Sequence, residues 1–247
     1  MNKKNLWAGL NEDARNALVS RDYETGSFAQ RLRSSGVEAG ELADADRRKP
    51  DVKGVWIPGV EIFVRKIFSQ PHRGSFGEFV RQDEGPLAKI GLWPRQWSAA
   101  RMFAHSAKGF HVHPPSIPPD TTPEKWQRRL FVTDAQNYSL RPYDREQWDV
   151  MFFLQGRIEM ILRDVRAGLP GRIMRFSVDG DNLRGRNNVG VVIPPGVAHA
   201  VRVEGSEDVI MVYGTSTIFH PEFEGRIGSK VETAELPESW KNFLGET

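Results

Sequence analysis

From residue 52 onward the chain is a succession of short apolar runs separated by turn residues, with no helical pattern between them. Alternation is visible in Arg157–Arg163, where Ile158, Met160 and Leu162 fall on one side of an extended chain. Turn sequences such as Asp179-Gly180-Asp181-Asn182 lie between the runs, and the chain holds 23 Gly and 16 Pro. Many short strands without intervening helices favour an antiparallel sandwich or barrel.

We therefore predict an all-β domain over residues 52–227. Its predicted strands are 60–68, 76–81, 87–93, 101–104, 109–113, 129–133, 148–154, 157–163, 172–178, 189–193, 198–203 and 209–213.

The two ends of the chain differ from this domain. Residues 1–51 carry apolar residues at helical spacing in a polar background, which predicts a helical N-terminal extension of two or three short helices. Their apolar faces are thin, so we expect them to pack on the main domain or on a partner subunit. Residues 228–247 form a C-terminal tail in which Trp240, Phe243 and Leu244 predict one short helix.

Composition excludes several functional classes. Lys and Arg number 34 and Asp and Glu 32, and this balance gives no support to nucleic-acid binding. The chain has no Cys, which excludes thiolate metal sites and thiol nucleophiles. The longest apolar run after the N-terminus, Val150–Leu154, is far too short to span a membrane, and residues 1–16 lack a signal-peptide core. We expect a cytoplasmic protein that binds neither nucleic acid nor membrane.

Histidines are the main candidates for chemistry. In a strand, His111 and His113 would project from the same face, although a functionless surface pair is equally compatible with this spacing alone. His199 favours a functional reading. It follows the Pro194-Pro195-Gly196 segment, which predicts a tight turn that returns a histidine toward the interior of a barrel.

These residues resemble the motifs of the cupin family. Pro194-x-Gly196-x-x-His199 matches the core of the second cupin motif, and His111-x-His113 matches the start of the first. A closer resemblance, to the dTDP-4-dehydrorhamnose 3,5-epimerase family, covers most of residues 56–227. The stretches that carry it, in the family's order, are Arg73-Gly74-Ser75-Phe76-Gly77-Glu78, Lys108-Gly109-Phe110-His111, residues 156–166, residues 193–199 and residues 213–224.

The resemblance implies a cupin jelly-roll barrel and a nucleotide-sugar epimerase or isomerase that acts on a 4-keto-6-deoxy sugar. It assigns the base to His111 and the acid to Tyr213. Epimerisation beside a ketone needs a base on one face of the sugar and an acid on the other. A free imidazole, with a pKa of about 6.5, is largely neutral at physiological pH, whereas a phenol, with a pKa near ~10, stays protonated.

The resemblance also implies the residues that bind substrate. Arg73 and Glu78 would contact the nucleotide and Phe76 would stack on its base, while Lys108 and His199 would line the pocket. In the family the first three residues reach the site of a neighbouring subunit, so a homodimer is implied. The family reading requires no cofactor.

Three departures leave other functions open. Asp149 occupies the place of a lysine that helps the family to hold the enolate, His113 stands where the family usually has Gln, and the acidic partner of the base is not recognisable. One alternative is a metal-dependent cupin in which His111, His113 and His199 bind one transition metal ion. Another is a barrel that binds a sugar nucleotide without catalysis.

Overall fold

A computed structural model describes residues 27–113, 146–166, 169–183, 185–219, 225–226 and 235–245. The predicted strand 129–133 and His220 lie outside these residues. The helices are α1 (Ser27–Arg33), α2 (Ala39–Asp44), α3 (Pro50–Val55), α4 (Gly85–Ile90) and α5 (Glu238–Leu244). The strands are β1 (Glu61–Val64), β2 (Ile67–Gln70), β3 (Gly74–Gly77), β4 (Gln96–Met102), β5 (Ala107–Val112), β6 (Asp149–Gln155), β7 (Arg157–Asp164), β8 (Ile173–Asp179), β9 (Val189–Ile193), β10 (Val197–Glu204), β11 (Val209–Thr215) and β12 (Gly225–Arg226).

Two five-stranded antiparallel sheets form the body of the fold. One has the order β1-β9-β6-β11-β4 and the other β12-β5-β10-β7-β8, while β2 and β3 pair as a separate hairpin. The inward residues of both sheets, among them Met160 and Phe176 from one and Phe153 and Val191 from the other, form a single apolar cluster. The predicted all-β jelly-roll architecture is confirmed.

The described part of the N-terminal extension packs on this body. Leu32 of α1 and Leu42 of α2 are completely buried and belong to the same apolar cluster as the sheets. Helix α3 starts at Pro50, whose fixed φ suits the first turn of a helix, and it spans the predicted domain boundary at residues 51 and 52. Of the two expected packing surfaces, the main domain is the one that residues 27–55 contact.

The predicted strand 87–93 is wrong. Residues 85–90 form α4, with Pro86 in the first turn. The helix ends at Gly91, which has a φ of 71° and donates its N–H to the carbonyl of Ala88. An apolar run of this length is too short for the helical and the extended periodicity to be distinguished.

The short C-terminal helix is confirmed as α5. Its Trp240 and Phe243 pack against Phe110 of β5, with ring centroids 4.8 and 4.9 Å from the Phe110 ring. This helix covers the side of β5 opposite to the histidines, and Ala198 and Ala200 of β10 belong to the same apolar cluster.

Among the described residues, no helix is long and apolar enough to cross a membrane.

Candidate active site

Three histidine rings come together because β5 and β10 are paired neighbours. His111 lies directly opposite His199 in the ladder, and their rings stack with centroids 5.8 Å apart. The His113 ring is 5.5 Å from the His199 ring. Val112, between the first two histidines, packs with α5 on the other side of the sheet. The prediction that His111 and His113 share one face is confirmed.

The turn at Pro194-Pro195-Gly196 holds two of these histidines in place. Gly196 has a φ of 75°, which a side chain would strain, and its N–H donates to the carbonyl of His113 over 2.6 Å. Strand β10 begins at the next residue and carries His199 back along the sheet. The local sequence therefore fixes His113 and His199 through the same turn.

The histidines open into a cavity of about 590 Å³ between the two sheets. The described residues of one wall come from β5 and β10 and those of the other from β4, β6 and β11. Met151 and Met211 supply apolar lining next to the polar groups. A cavity of this size, mostly apolar with a few convergent polar groups, is typical of a small-molecule site.

The cavity brings together part of the predicted site. His111, Tyr213, Lys108 and His199 all line it, as does His113. Tyr213 lies on β11, opposite Met151 of β6, so the phenol and the His111 imidazole belong to different sheets.

The predicted nucleotide-binding residues lie elsewhere. Of the described residues lining the cavity, none is Arg73, Phe76 or Glu78. Phe76 is 52% exposed on the β2–β3 hairpin and stacks on Phe68. Arg73 is exposed just before β3, and Glu78 forms an ion pair of 3.0 Å with Arg81. Within one chain, the hairpin and the cavity are therefore separate features.

Asp149 is the central residue of the cavity that the sequence did not single out as functional. It is buried at the start of β6, and its Oδ2 lies 3.1 Å from Nε2 of His113 and 3.5 Å from Nε2 of His199. Gln147 donates its side-chain amide to Oδ1 over 2.9 Å. One sequence feature indicates its role: Asp149 is the single carboxylate at the start of an apolar run. A charge buried with such a run needs polar partners close to it.

The electrostatics of this cluster follow from burial and mutual attraction. Burial by itself would raise the pKa of Asp149, but the His113 and His199 imidazoles and the Gln147 amide outweigh it and lower that pKa to about 2. Burial lowers the pKa of His199 to about 4, against the opposing attraction of Asp149. At neutral pH Asp149 is therefore a carboxylate and His199 is an uncharged imidazole.

The arrangement has two chemical capacities. Its opposed imidazole and phenol can move protons on two sides of a bound molecule. Its His113, Asp149 and His199 ligand atoms, which all lie within 4.8 Å of one another, can hold a cation. This group differs from the predicted metal ligands, because Asp149 belongs to it and His111 does not.

No family model matches the chain. The spore coat polysaccharide biosynthesis protein SpsL of Bacillus subtilis (strain 168) is 26% identical over 169 residues, which cover 67% of this chain and 84% of SpsL.

Solved structures give the clearer likeness. The 3'-monoepimerase ChmJ of Streptomyces bikiniensis, in complex with dTDP-quinovose, superposes with a TM-score of 0.50 at 21% identity, covering 69% of this chain and 70% of ChmJ. A dTDP sugar isomerase of Desulfovibrio desulfuricans superposes with a TM-score of 0.50 at 13% identity, covering 70% of this chain and 85% of the isomerase. The resemblance to the dTDP-4-dehydrorhamnose 3,5-epimerase family is thus confirmed for the fold, and the chain has the cupin-like jelly roll of these sugar-nucleotide enzymes.

Proposed function

We propose that the chain is a nucleotide-sugar epimerase or isomerase that acts on a 4-keto-6-deoxy sugar. The observation that carries the proposal is the placement of His111 and Tyr213 on strands of opposite sheets that line one cavity. A sugar ring between the sheets would have an imidazole on one side and a phenol on the other. Inversion of a carbon needs a base and an acid placed in this way.

The reaction follows from this placement. His111 takes the proton from a carbon beside the ketone, and the electrons of the broken C–H bond form the C=C bond of an enolate. Tyr213 then gives a proton to the opposite face of the same carbon, and the ketone re-forms.

The substrate would be held by two sets of residues. Lys108 and His199 line the cavity and would contact oxygens of the sugar or diphosphate. Arg73, Phe76 and Glu78 would bind the nucleotide. Because none of them is among the described residues that line the cavity of their own chain, they would serve the site of a partner in a homodimer. Phe76 has the exposed aromatic face that stacking on a base requires.

The comparisons support the same class of substrate. ChmJ was solved with dTDP-quinovose, a nucleotide sugar, and SpsL bears the name of a polysaccharide biosynthesis protein. A reaction that supplies an epimerised nucleotide sugar for a polysaccharide accounts for both.

Solvent-deuterium exchange tests the proposal with two active-site variants. A dTDP-4-keto-6-deoxyhexose is incubated with each protein in deuterated water, and NMR follows deuterium at carbons 3 and 5 together with the configuration there. His111→Gln should lose both exchange and inversion by about 10²–10⁴-fold. Tyr213→Phe should keep exchange but lose inversion, because the base can still return deuterium to the face it deprotonates.

Lys241→Ala is the control, since Lys241 is exposed on α5 and does not line the cavity. It should match the wild type in both measurements. If His111→Gln exchanges as fast as this control, His111 is not the base. If Tyr213→Phe inverts the sugar at the wild-type rate, the acid is another group.

A further inference from the structure

Two of the three ligand-atom distances in the His113, Asp149 and His199 cluster are those of a metal site. With ligand bonds of about 2.0–2.2 Å, adjacent ligand atoms around one ion lie about 3.0–3.5 Å apart. The two imidazole nitrogens lie 3.1 and 3.5 Å from the same carboxylate oxygen. All three residues are buried, and their ligand atoms lie within 4.8 Å of one another. We propose that these residues bind one divalent transition metal ion inside the cavity.

The orientation of His199 supports an ion at this position. Its Nδ1 lies 3.3 Å from the carbonyl oxygen of Val197, and a carbonyl can only accept, so the ring donates from Nδ1. Its Nε2, on the other side of the ring, is directed at the Asp149 carboxylate over 3.5 Å and is the atom that would bind an ion. A backbone carbonyl that accepts from the far ring nitrogen is the usual support of a metal-binding histidine.

The carboxylate of Asp149 is also held in a ligand orientation. Gln147 donates to Oδ1, which leaves Oδ2 directed at the two imidazoles. The Gln147 carbonyl in turn accepts from the hydroxyl of Thr217, and the Thr215 hydroxyl donates to the Thr217 backbone carbonyl over 2.6 Å. This buried chain fixes Asp149 from the side away from the histidines, as outer groups do around metal ligands.

The donor set selects the kind of ion. Two imidazole nitrogens and one carboxylate suit Fe²⁺, Mn²⁺, Co²⁺, Ni²⁺ or Zn²⁺, whereas Ca²⁺ and Mg²⁺ prefer oxygen ligands alone. Three protein ligands leave coordination positions open. Since His113, Asp149 and His199 all line the cavity, these open positions face the space for the sugar.

The role of the ion rests on the proposed epimerase function. When His111 removes a proton beside the ketone, the carbonyl π electrons move onto the oxygen, and a divalent cation stabilises that negative charge. The His111 ring stacks on the His199 ring at 5.8 Å, so the base lies next to one of the ligands of the ion. The ion would supply the positive charge for the enolate. His113, Asp149 and His199 would hold the ion, so His199 would act on the sugar through the ion and not by direct contact.

Metal analysis of protein purified without a histidine tag tests the site directly. Elemental analysis, and Co²⁺ titration of chelator-treated protein by calorimetry and visible absorption, should give one equivalent per chain. Asp149→Asn should weaken Co²⁺ binding by more than 100-fold, and Gln147→Leu should weaken it by about 10–100-fold through the loss of the supporting hydrogen bond. His72→Gln and His111→Gln, which alter histidines outside the ligand group, should keep the full equivalent.

The results separate this proposal from its alternative, a proton shared by His113 and Asp149 without any ion. If the wild-type protein contains no stoichiometric metal and does not bind Co²⁺, the proposed metal site is wrong, and no variant is needed to show it. Retention of metal by a folded Asp149→Asn protein also overturns it.

The enzymatic role is tested separately. Deuterium exchange that survives complete metal removal overturns the role of the ion in catalysis but leaves the epimerase function intact. If the protein contains stoichiometric metal but catalyses no exchange in any tested nucleotide sugar, the metal site is supported and the proposed epimerase function is wrong.

Discussion

Replacing Trp240 by alanine should lower the free energy of unfolding by about 3–4 kcal/mol. The side chain is completely buried, and its ring centroid is 4.8 Å from that of Phe110. A buried indole removes ~150–250 Å² from water, which at ~25 cal/mol per Å² stabilises the fold by about 4–6 kcal/mol. Its Nε1 has no hydrogen-bond partner among the described residues, and that unmade bond offsets about 1–2 kcal/mol.

Urea denaturation followed by circular dichroism measures this loss, and thermal melting should show a decrease of roughly 6–16 °C in Tm. Lys241→Ala is the matched control, because it changes the next residue of the same helix at an exposed position. It should stay within about 0.5 kcal/mol of the wild type. A Trp240→Ala protein that is no less stable than this control would refute the assignment of α5 as a structural cover of the β5 sheet.

Two further predictions concern a buried charge and the hairpin. Glu159 is buried beneath the N-terminal segment, and despite burial its contacts with Arg175, Ser35 and Arg202 hold its pKa below the ordinary value. The stabilising effect of its charge is therefore present above about pH 4.3 and is lost as the pH falls further. In urea melts Glu159→Gln should destabilise the protein by about 2–4 kcal/mol at pH 7 and by less at pH 3.5, and an equal loss at both pH values would contradict the assignment. Phe76→Ala should raise KM for the nucleotide sugar by roughly 10-fold, because the stacking of Phe76 on the base is lost. If the hairpin serves the partner's site, mixing the Phe76→Ala and His111→Gln proteins should restore activity through mixed dimers. Activity that is not restored after subunit exchange would argue against a shared site.

The fold could be predicted from the sequence because its information is local. Alternation along strands such as Arg157–Asp164 and glycine or proline turns between them indicate antiparallel sheets directly. The shared face of His111 and His113 follows from the same period of two. Helix α4 was missed because six residues are too few for the period of a helix to be distinguished from that of a strand.

Sequence motifs identify the histidines of one sheet and Tyr213 of the other, but not the approach of Asp149. His111, His113 and His199 lie on neighbouring strands, and sequence motifs identify them. Asp149 lies on β6 in the other sheet, so its approach to His113 depends on how the two sheets face each other. No local pattern encodes that distance, and Asp149 therefore appeared only as the replacement of a lysine.

The proposed function requires proton exchange beside the ketone inside the cavity. The decisive measurement is NMR of a dTDP-4-keto-6-deoxyhexose incubated with the wild-type protein, purified without a tag, in deuterated water. We expect enzyme-dependent deuterium at carbon 3 or carbon 5 with inversion at that carbon, and loss of both in His111→Gln. Absence of deuterium at both carbons across several nucleotide sugars, with a folded protein, would contradict it.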